Sequence, residues 1–388
     1  AQCFAQRSYP AASMNDIAAA GGTSKARLYH YYDSKEAILF DLLDRYTQRL
    51  LAIIGQAEAT AQRRNLDDRA ALHELIRSFL EEYETSATGE VIPAAGQTRK
   101  EAVNGTDVRL TINSGLQWYA QNALAQKMEQ TNALSGTVVA MNAKTGDLLA
   151  VASYPTYDPN DIGRAKGSLT NKAFGEVFEP GSTAKLMTIA AAMQDGTVTP
   201  DTPVIVPPTL PRYDQVFNDS HAHPTEYRTV TGVLAESSNI GTVLVSETLT
   251  PKRLEEYFRK FGLGTKTGTG FPGESAGLLT KSEDWSGTQR ATVAFGQGLS
   301  VTAIQAAGVF QTIANNGVRV EPRLIESTTD KDGTVKQTPA SKGSRVVDEK
   351  VAKQVSEMLE GVVSPNGTAP QAQIAGYRVA GKTGTADR

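Results

Sequence analysis

Three short segments carry side chains whose types and spacing could do chemistry. In "FEPGSTAKLM", Ser182 stands three residues before Lys185 on a run that reads as a helix. That spacing puts both side chains on one helix face. A lysine buried near a hydroxyl can lose its proton and act as the base, and the start of a helix offers N–H groups to a developing oxyanion. In "LAESSNIGTV", Ser237 and Asn239 alternate in a short turn and point the same way. A hydroxyl there can pass a proton, and an amide can hold a substrate amide. In "RVAGKTGTA", Lys382, Thr383, Gly384 and Thr385 follow an alternating run. Lys382 can bind a carboxylate, the threonines can offer hydroxyls or N–H groups, and glycine lets a substrate backbone approach closely. Together the three could supply a serine nucleophile, its base and a carboxylate-binding edge.

Each segment also has a bland reading. Ser-x-x-Lys arises by coincidence in a chain of this size, as a capping serine with a solvated lysine. A lysine on an otherwise apolar helix argues against that. Ser-x-Asn alone is an ordinary turn. The letters KTGT occur twice. The early copy, Lys266 to Thr269, follows the helix "PKRLEEYFRKFG" amid Gly264, Gly268, Gly270 and Pro272, which marks a loop. The late copy follows the alternation of Tyr377 and Val379, so it is expected on an edge strand along which a substrate peptide pairs.

The elements that must position these groups are legible in outline. "EVFEPGSTAKLMTIAAAMQDG" is apolar all round, with Pro180 and Gly181 before it and Gly196 at its end, so it is expected as a buried central helix. "DVRLTIN" alternates, "GLQWYAQNALAQKMEQ" reads as a helix, and "GTVVAMNAKTGDLLAVAS" reads as a hairpin turning at Asn142 to Asp147. "STTDKDGTVKQTPASKGS" is expected as an exposed hairpin or loop. The first 86 residues or so read as all helix. Ser13 is a candidate N-cap with Asp16 at N3, Gly21 and Gly22 stop that helix, and "TSKARLYHYY" follows the tight turn. A long helix with Ile38, Leu42, Leu43, Tyr46, Leu50, Ile53 and Ile54 at helical spacing comes next, then another over "DDRAALHELIRSFLEEYE". Gly89, Pro93 and Gly96 break the helical period. The expected division is therefore 1–88, a linker at 89–106, and 107–388.

Composition excludes several classes. The 388 residues imply two or three domains, and 40% hydrophobic content fills sizeable cores. A net charge of −3 gives no overall basic balance, so any nucleic-acid contact must come from a local patch. The single cysteine, Cys3, excludes an internal disulfide and a cysteine-based zinc site. His221 and His223 in "NDSHAHPTEYR" have no evident third ligand and read as a plain loop, so neither metal nor cofactor is expected. No apolar run is long enough to span a membrane and no signal peptide is visible. The absence of an initiator Met makes a front end cut from a longer chain the expectation.

Ser-x-x-Lys, Ser-x-Asn and Lys-Thr-Gly in that order resemble the penicillin-binding proteins and serine β-lactamases. "FEPGSTAK", "TGFPGES" and "VAFGQGLSVTAIQ" narrow the resemblance to class B penicillin-binding proteins of the division or elongation type, from about residue 105 onward. No dedicated deacylating base is evident, which sets the β-lactamases aside. The resemblance implies a transpeptidase domain with a central antiparallel sheet and helices. It implies Ser182 as nucleophile, Lys185 as base, Ser237 and Asn239 as proton shuttle and substrate holder, and Lys382, Thr383, Gly384 and Thr385 as the carboxylate-binding edge. The N–H groups of Ser182 and Thr385 would form the oxyanion hole. Peptidoglycan stem peptides and β-lactams would be the partners, and no metal or cofactor would be needed. The family places two more strands and a closing helix after the KTG strand. Their absence makes a C-terminally truncated domain and an impaired enzyme the expectation.

"SMNDIAAAGGTSKARLYHYYDSKEAIL" resembles the helix-turn-helix of TetR-type repressors, with Ile17, Ala18, Ser24, Tyr29, Tyr31, Tyr32 and Lys35 matching. Thr23 and Ala26 depart from the usual pattern. The resemblance implies DNA contacts by Thr23, Ser24, Lys25, Arg27, Tyr29, Tyr31 and Lys35. The fold expected for the whole chain is thus α+β and multidomain, an all-α fragment followed by the transpeptidase domain. The halves imply different compartments: cytoplasm for the DNA reader, and the cell envelope for the parent transpeptidase. A fusion of two unrelated fragments is the simplest expectation, with a DNA-binding regulator as the alternative.

Overall fold

The structure, a computed structural model, describes residues 13–63, 67, 70–72, 75, 105–160, 162 and 169–386. The chain divides into two compact units, Ala1–Val103 and Asn104–Arg388.

In the first unit, helix α1 (Met14–Ala20) starts on a capping box. Ser13 Oγ accepts the Asp16 N–H at 3.2 Å, and the Asp16 carboxylate accepts the Ser13 N–H at 2.9 Å. Two backbone donors that the helix itself cannot satisfy are thereby paired. Gly22 takes φ +61°, which turns the chain into α2 (Lys25–Tyr31), capped by Ser24. Helix α3 (Lys35–Arg63) follows. Of its expected apolar face, Ile38 is buried, Leu42 and Ile54 are half-buried, and Leu43 is exposed. The side chains of Tyr46, Leu50 and Ile53 lie outside the described residues, as does most of the helix expected over 67–84.

The second unit opens with β1 (Asp107–Leu110), α4 (Ser114–Thr131) and the hairpin β2 (Gly136–Met141) with β3 (Leu148–Tyr154). The hairpin turns at Asn142–Asp147, where Asn142 Oδ1 accepts the Lys144 N–H. Helix α4 seals one face of the hairpin by packing Ala120, Leu124 and Met128 on Ala150 and Ala152. Its Gln117 side chain accepts the Val151 N–H at 2.7 Å and donates to the Val151 carbonyl at 3.0 Å, so it stands in for a neighbouring strand. The polar stretch forms a hairpin of β4 (Ile325–Thr329) and β5 (Val335–Gln337), and β1 completes that antiparallel sheet in the order β1–β4–β5.

The core gathers around α5 (Lys185–Gln194), in which every residue from Lys185 to Met193 is buried. Helices α6 (Asn239–Ser246) and α7 (Glu349–Glu360) and the helix Pro251–Lys260 pack against it. Each fully buried Leu or Ile of this cluster contributes roughly 1.5–3 kcal/mol. Gly196, at φ +71°, ends the turn after α5.

One expected element differs. The late KTG segment forms no strand, and among the described strands β2 pairs only with β3. Alternation specifies an extended backbone, whereas a strand exists only by pairing, and no described strand pairs with residues 378–386. The segment is held instead on the end of α7. Arg378 pairs with Glu360 at 2.6 Å, and the Gly381 N–H reaches the Leu359 carbonyl at 3.3 Å.

Candidate active site

Ser182 lies in the 3-10 turn Gly181–Ala184, which runs directly into α5 at Lys185. Gly181 adopts φ +53° and donates its N–H to the Gly296 carbonyl at 3.0 Å. A Cβ on Gly181 would sit 2.2 Å from the Thr385 carbonyl oxygen, and one on Gly296 would sit 2.0 Å from the Gly181 carbonyl oxygen. Three backbones therefore meet where only glycine fits, and they bring the Ser182 turn against Thr385. The turn is stitched further by Thr183, whose Oγ1 donates to the Pro180 carbonyl at 2.7 Å.

Lys185 is fully buried. Its Nζ donates to the Ser237 carbonyl at 2.5 Å and to Asn239 Oδ1 at 2.7 Å, and lies 3.2 Å from Ser237 Oγ. Burial pushes the Lys185 ammonium down to about 7, with the nearby Lys382 charge adding to the shift and Asp219 opposing it. The two closest partners are acceptor-only oxygens. A neutral amine satisfies both with its two N–H bonds and keeps its lone pair for a hydroxyl. None of the three bonds goes to Ser182.

Ser237 reaches Lys185 because it takes φ +65°, a left-handed turn that starts α6. Asp219 holds that turn. Its carboxylate accepts from Ser238 Oγ at 2.7 Å, the Asn239 N–H at 2.5 Å and the Ile240 N–H at 3.0 Å. The Asn239 side-chain amide donates to the Asn218 carbonyl at 3.0 Å, which points its oxygen at Lys185. Sequence reasoning missed Asp219 and Gly296.

The two KTGT copies separate clearly. In the early copy, Thr267 is buried and donates its N–H and hydroxyl to Glu274, while Lys266 is exposed. That copy is a loop clamp. In the late copy, Lys382 is half-buried, and burial pushes its ammonium down to about 8. Thr383 Oγ1 lies 2.8 Å from Thr368 Oγ1, and Gly384 packs on Pro180 and Thr183. A groove of about 750 Å3 runs past Thr137, Phe178, Thr183 and Gly384. Lys266→Ala is accordingly expected to leave penicillin labelling within about twofold of wild type, and Lys382→Ala to lower it at least about tenfold, as does losing a charge-assisted contact of about 1.5–3 kcal/mol. Time-resolved gel fluorescence with a fluorescent penicillin reads both. Among the described residues no group of three or more His, Cys, Asp or Glu could hold a metal.

Residues 136–388 match the family model described as the penicillin binding protein transpeptidase domain. The chain belongs to that family. It is 40% identical over 314 residues to penicillin-binding protein PbpB of Mycolicibacterium smegmatis. That match covers 79% of this chain and 48% of the relative. It is 35% identical over 301 residues to peptidoglycan D,D-transpeptidase FtsI of Escherichia coli K12, covering 77% and 49%. The chain thus spans about half the length of these curated relatives. The crystal structure of penicillin binding protein 3 from Mycobacterium tuberculosis in complex with aztreonam superposes with a TM-score of 0.73 at 38% identity, covering 78% of this chain and 72% of that one.

Residues 1–42 match a different model, that of bacterial regulatory proteins of the tetR family. On α2, Lys25, Arg27, Tyr29 and Tyr31 are exposed, and Lys25 lies over the Tyr29 ring at 5.8 Å. Ser24 is exposed but its Oγ accepts the Arg27 N–H as the helix cap. Thr23 and Lys35 are half-buried. Tyr32 is tied to Asp41 through its hydroxyl at 2.7 Å. Among the described residues no helix is long and apolar enough to cross a membrane.

Proposed function

We propose that the second unit is a peptidoglycan D,D-transpeptidase of the division type, working through a Ser182 acyl-enzyme. The observation that carries this is the fully buried Lys185, one turn after Ser182, with Nζ between Ser237 and Asn239. One relative is named a peptidoglycan D,D-transpeptidase and another is solved in complex with aztreonam, which supports peptidoglycan as the substrate class and β-lactams as ligands. A stem peptide ending in D-Ala–D-Ala is what the family resemblance implies.

Ser182 Oγ attacks the penultimate D-Ala carbonyl as neutral Lys185 takes its proton. The oxyanion meets the backbone N–H groups of Ser182 and Thr385 at the three-backbone junction. The C–N bond then breaks, and the proton passes through Ser237 Oγ to the departing D-Ala amine. An amine of a second stem attacks the ester and returns Ser182 its proton by the same route. Asn239 holds the substrate amide, and Lys382, Thr383, Gly384 and Thr385 hold its carboxylate. This chemistry belongs at the cell envelope, where the substrate is found.

The direct test is D-alanine release from a pentapeptide ending in D-Ala–D-Ala, which Ser182→Ala should abolish. The rate should rise with pH through a midpoint near 7, because only the neutral form of Lys185 accepts a proton, and fall above about 8 as Lys382 loses the charge that holds the carboxylate. Release that persists in Ser182→Ala, or a rate flat between pH 5.5 and 8.5, would overturn the reading.

DNA contact by the first unit is a second reading, supported by the exposed Lys25, Arg27, Tyr29 and Tyr31 on one short helix. One isolated reader would bind chiefly through phosphates. A gel shift that weakens steeply with salt is expected, and no shift at low salt contradicts it.

A further inference from the structure

The loop that carries Asp219 also carries His223, whose side chain is only 4% exposed, against 7% for Asp219. His223 Nδ1 lies 2.7 Å from the Pro224 carbonyl oxygen, and Nε2 lies 3.2 Å from Asp219 Oδ2. A carbonyl oxygen can only accept, so Nδ1 carries a proton. Three other donors, from Ser238, Asn239 and Ile240, already converge on the Asp219 carboxylate. That is the arrangement of an ionised, acceptor-only group, so Nε2 must donate as well.

We propose that His223 is a positioning residue of the acyl-transfer site: an imidazolium that orients the Asp219 carboxylate under the Ser237–Asn239 turn and offsets that carboxylate's field at Lys185. The proposal rests on the acyl-transfer reading for its kinetic consequence, while the ring state stands on geometry alone. The other charged and titratable groups facing the ring are Glu226, whose Oε2 lies 3.6 Å from Nδ1, and His221, with ring centroids 6.0 Å apart. Glu226 is itself engaged by Arg228, which also pairs with Glu236. At Lys185 the fields of Lys382 and Asp219 act in opposite senses. Removing the imidazolium charge leaves Asp219 unbalanced and draws a proton toward Lys185. Removing the Asp219 charge does the reverse. Simple loosening of the turn has no reason to move the two variants in opposite directions.

The test combines two readouts on the full chain. Nitrogen-15 NMR of the histidine-labelled protein at pH 7 should show two protonated ring nitrogens for His223, assigned by their loss in His223→Gln. Glutamine keeps one donor for Asp219 without the charge. The pH profile of acylation by a fluorescent penicillin should move its midpoint up by about half to one unit in His223→Gln, and down by a similar amount in Asp219→Asn. A His223 ring with one bare nitrogen at pH 7, or midpoints that do not move apart, would overturn the proposal. Wild-type protein that takes no penicillin on Ser182 would contradict the acyl-transfer reading instead, and the NMR result would still decide the state of the ring.

Discussion

Replacing Lys185 with methionine is expected to slow acylation by about a thousandfold while stabilising the fold at acid pH. The two effects share a cause. Lys185 is fully buried on the central helix, and burial takes its ammonium down to about 7 from 10.5. That makes it a usable base at neutral pH. Between about pH 7 and 10.5 the unfolded chain still holds a proton that the folded chain has released. Stability therefore rises with pH across that window and is lowest below it. At pH 6 the cost is on the order of 5 kcal/mol. Methionine removes it, but leaves the Ser237 carbonyl and Asn239 Oδ1 short of a donor, at about 1–3 kcal/mol each. A net gain of about 1 kcal/mol is expected at pH 6, turning into a loss near pH 10. Melting curves of both proteins at the two pH values read this directly. A stability difference that ignores pH would contradict the account.

Gly181→Ala is expected to abolish labelling of Ser182 and to destabilise the second unit by about 3 kcal/mol or more. The added methyl would meet the Thr385 carbonyl oxygen at 2.2 Å, in a residue already at φ +53°. Backbone cannot move aside as a flexible side chain can, so the Ser182 turn and the late KTG segment must separate. Gly270→Ala is the control. It sits at φ +71° with nothing within 4 Å of the added atom. It should cost only the left-handed backbone penalty of about 1–2 kcal/mol and leave labelling intact. Gly181→Ala acylated at a rate within twofold of Gly270→Ala would show that the three-backbone junction does not position the nucleophile.

Local chemistry was the legible part of the chain. Ser13 with Asp16 announces a capping box, Asn142 to Asp147 announces a turn, and Lys185 on an apolar helix announces an unusual lysine. The contrast between Gly-rich "GTKTGTGFPGE" and alternating "GYRVAGKTGTA" separated the two KTGT copies. What stayed hidden depends on distance along the chain. Asp219 sits in a loop with no periodicity and acts on backbone N–H groups of Asn239 and Ile240. Gly296 matters only because the Gly181 backbone lies against it. His223 reads as one of two loop histidines until its burial against Asp219 is seen. The expected KTG strand failed for the same reason, since pairing partners are not written in a strand's own alternation.

If Ser182 is the acyl-transfer nucleophile, a penicillin must add to that residue alone. Incubating the full chain with a penicillin and mapping the adduct by mass spectrometry decides this. One added penicillin is expected, on the peptide that contains Ser182, and none in Ser182→Ala. An adduct on another residue that survives Ser182→Ala, or a wild-type chain that stays unmodified, would contradict it.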